Sequence, residues 1–227
     1  MNYLFTPSIT ALPLRGSESL VPVHRIYCVG KNYADHAREM GGDPEREPPC
    51  FFSKPADAAV YGQSSIPFPS HTGDLHYEVE LVVVIGKEGA NVSVEQAAEM
   101  VLGYAVGIDL TRRDLQAEAK AAGRPWDVAK GFDNSAPVSV IYPVSEVGLL
   151  ERGEISLSVN GELRQQGDIG NMTWGIPAII AELSGYFMLK PGDLIFTGTP
   201  AGVGSLRDGD QVEARIAGLG SLQINLG

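Results

Sequence analysis

The 227-residue chain is poor in cysteine, in positive charge and in long apolar runs. Its two cysteines, Cys28 and Cys50, are too few for a disulfide scaffold. They point to a reduced, cytoplasmic setting and read as small buried apolar residues. Seventeen basic residues face 28 acidic ones, for a net charge of −11 and a pI of about 4.8. Such a surface repels phosphate backbones and anionic membranes, which argues against nucleic acid or a membrane as partner. It also sets a requirement: an anionic substrate must meet a local cation. The longest apolar stretches, such as 81–85, fall far short of the roughly 20 residues that span a bilayer. The opening MNYLFTPSITALP lacks a basic region followed by an apolar one, so no signal peptide is expected. Also missing are GxxxxGK[ST], GxGxxG after a strand, HExxH, GxSxG and CxxC. These absences disfavour a nucleotide-binding P-loop, a dinucleotide enzyme and a serine hydrolase.

Apolar residues make up 44% and charged residues 20% of the chain, a composition that buries a core. The 27 glycines and 15 prolines follow no repeat, which points to a β-leaning fold with many turns. One domain over 1–227 is expected, with 1–23 as a lead-in of irregular or short-strand character. HRIYCVG (24–30) reads as a strand. Asn32 then reads as the cap of a short helix ended by Gly41-Gly42, and DPEREPP (43–49) as a loop. YEVELVVVIG (77–86) is the strongest strand. Ser93 with Gln96 forms a capping box for a helix over 94–102. YAVGIDL (104–110) is a second buried strand, after which Thr111 caps a helix stopped by Gly123. Asn160-Gly161 is a two-residue hairpin turn within 155–164. Pro177 starts a later helix. Strands dominate and helices are scattered, so the fold class is α+β with a β-rich mixed sheet.

Glu78 and Glu80 flank one residue, so on a strand they share a face about 7 Å apart. Two carboxylates on an otherwise apolar strand need protonation or a cation. The alternative is a solvated strand face. Asp109 ends a second strand where a helix begins, and reads as a third site carboxylate or as a cap neighbour. Three carboxylates make an oxygen-only donor set suited to Mg²⁺ or Mn²⁺. His36 and Glu39, at i and i+3, share a helix face and could act as a general-base pair; a surface His beside a helix-stabilising Glu is the bland reading. Asp35 reads as a structural first-turn acid. Lys130, in WDVAKGF, reads as an oxyanion or carboxylate clamp, or as a snorkelling lysine.

Six blocks in order, GKNYADHAREM, PPCFFSKPADA, HYEVELVVVIG, GYAVGIDLTRRDLQ, RPWDVAKGFD and KPGDLIFTGTPAGVG, resemble the fumarylacetoacetate hydrolase superfamily from about residue 24 to the end. The short length is similar to the acylpyruvate hydrolase branch. The FTP opening and the DPEREPPCFF block resemble the bacterial fumarylpyruvate hydrolases of gentisate-type aromatic degradation. The resemblance implies a β-rich α+β roll, a homodimer and a Mg²⁺ or Mn²⁺ ion. It implies metal ligation by Glu78, Glu80 and Asp109, and catalysis by a lid pair His36–Glu39 and by Lys130. It places Arg113, Gln116 and Thr199 at the substrate. The implied reaction is metal-dependent hydrolysis of a C–C bond in a 1,3-dicarbonyl 2-oxo acid. Arg25, Arg38, Arg46 and Arg112 are all candidates for a second substrate carboxylate. Oxaloacetate decarboxylation or oxo-acid isomerisation is the alternative on the same scaffold, and a non-enzymatic binding subunit the alternative from another class.

Overall fold

The strand Val79–Ile85 is buried at every position, and its two faces serve two cores. Val79, Leu81, Val83 and Ile85 join the larger apolar cluster. Val82 and Val84 join the smaller one. Alternation gives Glu80 the same side as Val82 and Val84, so it points toward the smaller cluster's side of the sheet. The structure is a computed structural model and describes residues 4–6, 8–39, 49–62 and 64–227, without the side chains of Ala37, Glu39 and Ser64.

Val79–Ile85 pairs antiparallel with Leu194–Phe196 on one side and Val101–Ile108 on the other. Among the described residues, the sheet continues through Ile26–Gly30 to Cys50–Lys54 at one edge. At the other it runs through Ala136–Val138 to Ala59–Tyr61. The sheet is mixed: Ile26–Gly30 with Leu194–Phe196 and Ala136–Val138 with Ala59–Tyr61 are parallel pairs, and the pairs between neighbouring strands elsewhere along it are antiparallel. A second sheet orders Glu162–Asp168, Glu154–Val159, Gln211–Ile216, Gly220–Leu226 and Ser64–Ile66. Its inward residues, Ile155, Leu157, Val212, Ala214 and Ile224 among them, close the larger core together with Ile179, Ile180 and Leu183 of the helix Ile176–Tyr186. The fold is β-rich α+β, as the composition predicted. Among the described residues, no helix is long and apolar enough to cross a membrane.

Several local expectations hold. Asn160 and Gly161 take φ of 52° and 82°, which suits the tight turn between Glu154–Val159 and Glu162–Asp168. Ser93 and Gln96 form the capping box, and Pro177 sits in the first turn of its helix. The lead-in forms two short paired strands, Ala11–Pro13 and Leu20–Pro22. Others are corrected. The helix expected over 94–102 is Val94–Ala97 followed by a 3₁₀ turn Ala98–Met100, because the strand Val101–Ile108 starts at once. Asn32 caps nothing. Its amide group donates to the carbonyls of Trp174 and Thr197 and accepts the Trp174 N–H at 2.7 Å. The following helix is Ala34–Glu39. Thr111 is not the cap of Arg113–Ala121 either; Arg112 holds that position, and the Thr111 hydroxyl is engaged elsewhere. The loop expected over 43–49 and the stop at Gly41-Gly42 lie almost wholly outside the described residues.

Candidate active site

Strand register assembles the carboxylates. The Asp109 N–H donates to the Glu78 carbonyl at 2.8 Å, and Glu80 lies opposite Gly107. One oxygen each from Glu78, Glu80 and Asp109 lies within 4.8 Å of the others. Their residues are 5%, 2% and 0% exposed, so the solvated-face alternative fails. Gly107 has no room for a side chain: a Cβ would fall 2.5 Å from Val82 Cγ2 and 2.7 Å from Phe196 Cε1. Gly198 closes the site from the other side. Its N–H donates to Glu80 Oε2 at 2.7 Å. At φ +98°, with Asn32 Cβ 2.7 Å from where a Cβ would stand, only glycine fits there.

Three cations balance the three acids. Lys130, at the end of the short helix Asp127–Lys130, donates to Glu78 Oε2 at 2.9 Å, to Asp109 Oδ2 at 2.6 Å and to Thr111 Oγ1 at 2.6 Å. It is buried, so the snorkelling alternative fails. Burial alone would push its ammonium down, but Asp109 and Glu78 outweigh that and hold it above the ordinary lysine value. Arg113 donates to Glu78 Oε1. Burial would push Glu78 up; Lys130 and Arg113 outweigh it and hold Glu78 below the usual carboxylate range. The third cation, Lys54, carries no signal in the sequence beyond its place in a quoted block. It is buried, donates to the carbonyls of Leu110, at 3.1 Å, and of Lys130, and its Nζ lies 2.8 Å from Asp109 Oδ1.

Two observations test the fit of a metal. Asp109 Oδ1, though buried beside Lys54, has no aligned hydrogen bond. Glu80 is pushed well above the ordinary carboxylate value by burial, then by Asp109 and Glu78. A hard divalent cation relieves both, because it takes the open oxygen and offsets the like charges. The residues present therefore fit Mg²⁺ or Mn²⁺.

A cleft of about 170 Å³ opens over this cluster. Of the residues singled out in the sequence, it is lined by His36, Glu78, Glu80, Arg113, Gln116, Lys130 and Thr199, and by Cys50, which is exposed where burial was expected of both cysteines; Cys28 is buried. His36 is buried. The Glu39 side chain lies outside the described residues, so the structure adds nothing to the expected pairing. Arg113 also donates to Gln116 Oε1 at 2.6 Å, and its Nε meets His76 Nδ1 at 3.3 Å. The other nitrogen of His76 lies 3.0 Å from Asp74. Burial and then Arg113 push His76 below the ordinary imidazole value, which suits a neutral ring accepting from the guanidinium. Thr199 is held by Gln165, whose Nε2 donates to Thr199 Oγ1 and to the Pro200 carbonyl, each at 2.8 Å, and whose Oε1 accepts the Val79 N–H at 3.0 Å. Neither His76 nor Gln165 was singled out in the sequence.

Three of the four candidate arginines sit away from the cleft. Arg25 pairs with Asp193 at 3.3 Å, Arg38 with Asp35 at 2.6 Å, and Arg112 donates to the Val128 carbonyl at 3.0 Å while covering the Phe132 ring. Arg46 is outside the described residues. Among the described residues, the further cations lining the cleft are lysines, Lys31 and Lys120.

The family model for the fumarylacetoacetate (FAA) hydrolase C-terminal region matches residues 25–226. A fumarylpyruvate hydrolase of Ralstonia sp is 42% identical over 185 residues, covering 82% of this chain and 96% of its own. An oxaloacetate tautomerase of Escherichia coli, YcgM, is 44% identical over 198 residues, covering 87% and 90%. The crystal structure of fumarylpyruvate hydrolase from Pseudomonas aeruginosa in complex with Mn²⁺ and pyruvate superposes with a TM-score of 0.98, at 51% identity over 99% of both chains. The roll expected from the sequence blocks is thus shared over nearly the full length. By the span of the family match and the identity of its relatives, the chain belongs to the fumarylacetoacetate hydrolase family.

Proposed function

We propose that this chain is a metal-dependent hydrolase that cleaves the C–C bond between the two ketone-bearing halves of an acylpyruvate, fumarylpyruvate first among them. The observation that carries the reading is the buried Glu78–Glu80–Asp109 set at the base of a cleft that also holds His36, Arg113 and Lys130. A relative of that name at 42% identity and a neighbouring structure holding Mn²⁺ and pyruvate support it.

In this reading Glu78, Glu80 and Asp109 hold the metal. When bound, it supplies Lewis-acid polarisation of the substrate's 2-oxo acid oxygens and offsets the chain's negative field. Arg113 and Gln116 orient the 2-oxo acid end, and Thr199, fixed by Gln165, borders it. His36, oriented by Glu39, takes a proton from water, whose oxygen adds to the distal carbonyl carbon. Lys130, whose three N–H groups are engaged by Glu78, Asp109 and Thr111 before substrate binds, stabilises the oxyanion that forms by its positive charge, or by turning the N–H it gives Thr111 toward it. The bond from that carbon to the methylene breaks, one carboxylic acid leaves, and the methylene carbon takes a proton to give pyruvate. The gentisate-type pathway and the homodimer implied by the sequence blocks, and the cytoplasm suggested by the scarcity of cysteine, are part of this proposal.

The test is the loss of fumarylpyruvate absorbance with Mg²⁺ or Mn²⁺, then with excess EDTA, with pyruvate and fumarate quantified. One of each product per substrate, and no turnover with EDTA, is the expected outcome. His36→Ala should lower kcat by about a hundredfold or more while sparing metal binding; near wild-type kcat would remove His36 from the mechanism. The second reading is tautomerisation or decarboxylation of oxaloacetate, and the relative at 44% identity supports the tautomerisation. It needs no attacking water, so oxaloacetate turnover that survives His36→Ala, without fumarylpyruvate cleavage, selects it.

A further inference from the structure

Two cations of the cleft, Arg113 and Lys120, are spaced along one helix. Arg113, Gln116 and Lys120 fall at i, i+3 and i+7 of Arg113–Ala121 and so share a face. All three line the cleft. Arg113 is anchored at the inner end by Glu78. Lys120 sits exposed in the last turn. At 1.5 Å per residue the two positions are separated by about 10 Å along the axis. The same cleft is lined by the Phe52 and Trp126 rings, packed edge to face with centroids 5.7 Å apart. A ligand matched to this surface has a 2-oxo acid head near Arg113, a flat apolar middle and a second anion about a helix face away.

We propose that Lys120 binds the far carboxylate of the substrate and makes the cleft selective for long dicarboxylic 2-oxo acids. The inference rests on the reading above only in placing the 2-oxo acid head near Arg113. A chain of net charge −11 repels a dianion, so the second carboxylate needs its own cation. Oxaloacetate carries its carboxylates two carbons apart and cannot reach from the Arg113 end to Lys120. Fumarylpyruvate carries them five carbons apart, with a planar alkene between them for the aromatic wall. Lys120 thus separates the two substrate classes by length, where the carboxylate set alone would accept both heads.

The probes are 2-oxoheptanedioate and 2-oxoheptanoate, equal in carbon number and differing in the far carboxylate. Neither carries the second ketone, so neither is cleaved. Each is titrated calorimetrically into Mn²⁺-loaded protein. The wild type should bind the dicarboxylate more tightly. Lys120→Met should shrink that preference by about tenfold to a hundredfold, the worth of one hydrogen bond to a charged group, and Lys120→Arg should retain most of it. A wild type with no preference, or binding neither acid, overturns the inference. So does a Lys120→Met protein that keeps the preference, including the case where Lys31→Met removes it instead. Fumarylpyruvate hydrolysis is assayed separately. Preference without cleavage sinks the hydrolase reading and leaves this one standing; cleavage without preference does the reverse.

Discussion

Lys54 shows what a single buried charge costs when its partners are taken away. Its ammonium faces Asp109 and two main-chain carbonyls at a position closed to bulk solvent. Lys54→Met keeps the volume and removes the charge, leaving Asp109 less compensated and the carbonyls of Leu110 and Lys130 short of a donor. Breaking a buried pair from one side costs about 3–5 kcal/mol, so the urea midpoint should fall steeply, with an unchanged m-value. A loss below about 1 kcal/mol would mean water reaches the site. Gly107 makes a steric counterpart. A methyl group there meets Val82 and the Phe196 ring across from Glu80, and overpacking of this kind costs about 1–3 kcal/mol. Gly107→Ala should therefore lower the urea midpoint although it adds apolar surface. The residue scale is also where the sequence is most and least readable. Glu78 and Glu80 stand out because a two-residue period on an apolar strand leaves them nowhere else to go. Lys54, before a proline, carries the pattern of a surface loop, and only the fold places Asp109 against it. Gln165 lies on a largely polar strand as its one buried residue; Thr199 and Pro200, 34 and 35 residues away, hold it there.

At the scale of an element, the helix Arg113–Ala121 shows how a local signal can be right in kind and wrong in residue. Thr111 has the chemistry of a cap, yet its hydroxyl accepts from Lys130 and donates to the Asp109 carbonyl. The same hydroxyl that would have served a helix end serves the carboxylate cluster. The helix start is supported by Asp114, which accepts from the Thr72 hydroxyl at 2.7 Å, the Gly73 N–H at 2.8 Å and the Leu115 N–H at 2.9 Å. Burial pushes this carboxyl up, but the three donors outweigh it and hold it below its ordinary value. A carboxyl whose pKa is lower in the folded state stabilises above its unfolded pKa, and that stability is lost as the pH falls through the folded value. Asp114→Asn should therefore be destabilised by about 1 kcal/mol at neutral pH, from weakened hydrogen bonds and a lost first-turn charge. The gap to wild type should shrink below about pH 4. Urea midpoints of the two proteins across that range decide it; a gap independent of pH would show that the charge contributes nothing. Asn32 repeats the lesson. Its short polar side chain suits a cap, but long-range partners at Trp174 and Thr197 take it.

Across the whole molecule, the fold class was legible because one fact dominates it: seven consecutive buried residues, Val79–Ile85, with apolar neighbours on both faces. Such a strand must lie between two cores, and the turn-rich remainder wraps it in sheets. The strand order was not legible, since Leu194–Phe196 enters between Ile26–Gly30 and Val79–Ile85 from more than 100 residues away. That insertion has an energetic consequence. It draws Gly198 and Thr199 onto the carboxylate site, so the candidate metal site is made from distant parts of the chain and is complete only in the folded state. A metal that binds the folded state and not the unfolded one stabilises by mass action, about 2.7 kcal/mol at a hundredfold excess over its Kd. Thermal unfolding with Mn²⁺ or Mg²⁺ should therefore shift upward as the metal concentration rises, and EDTA should reverse the shift. For a chain of this size 1 kcal/mol moves the midpoint by about 2–4 °C, so the expected shift is several degrees. Glu80→Gln removes one ligand charge and relieves the crowding among the three acids. It should raise the metal-free midpoint while shrinking the metal-induced shift, a pair of opposite movements that a merely structural glutamate would not produce.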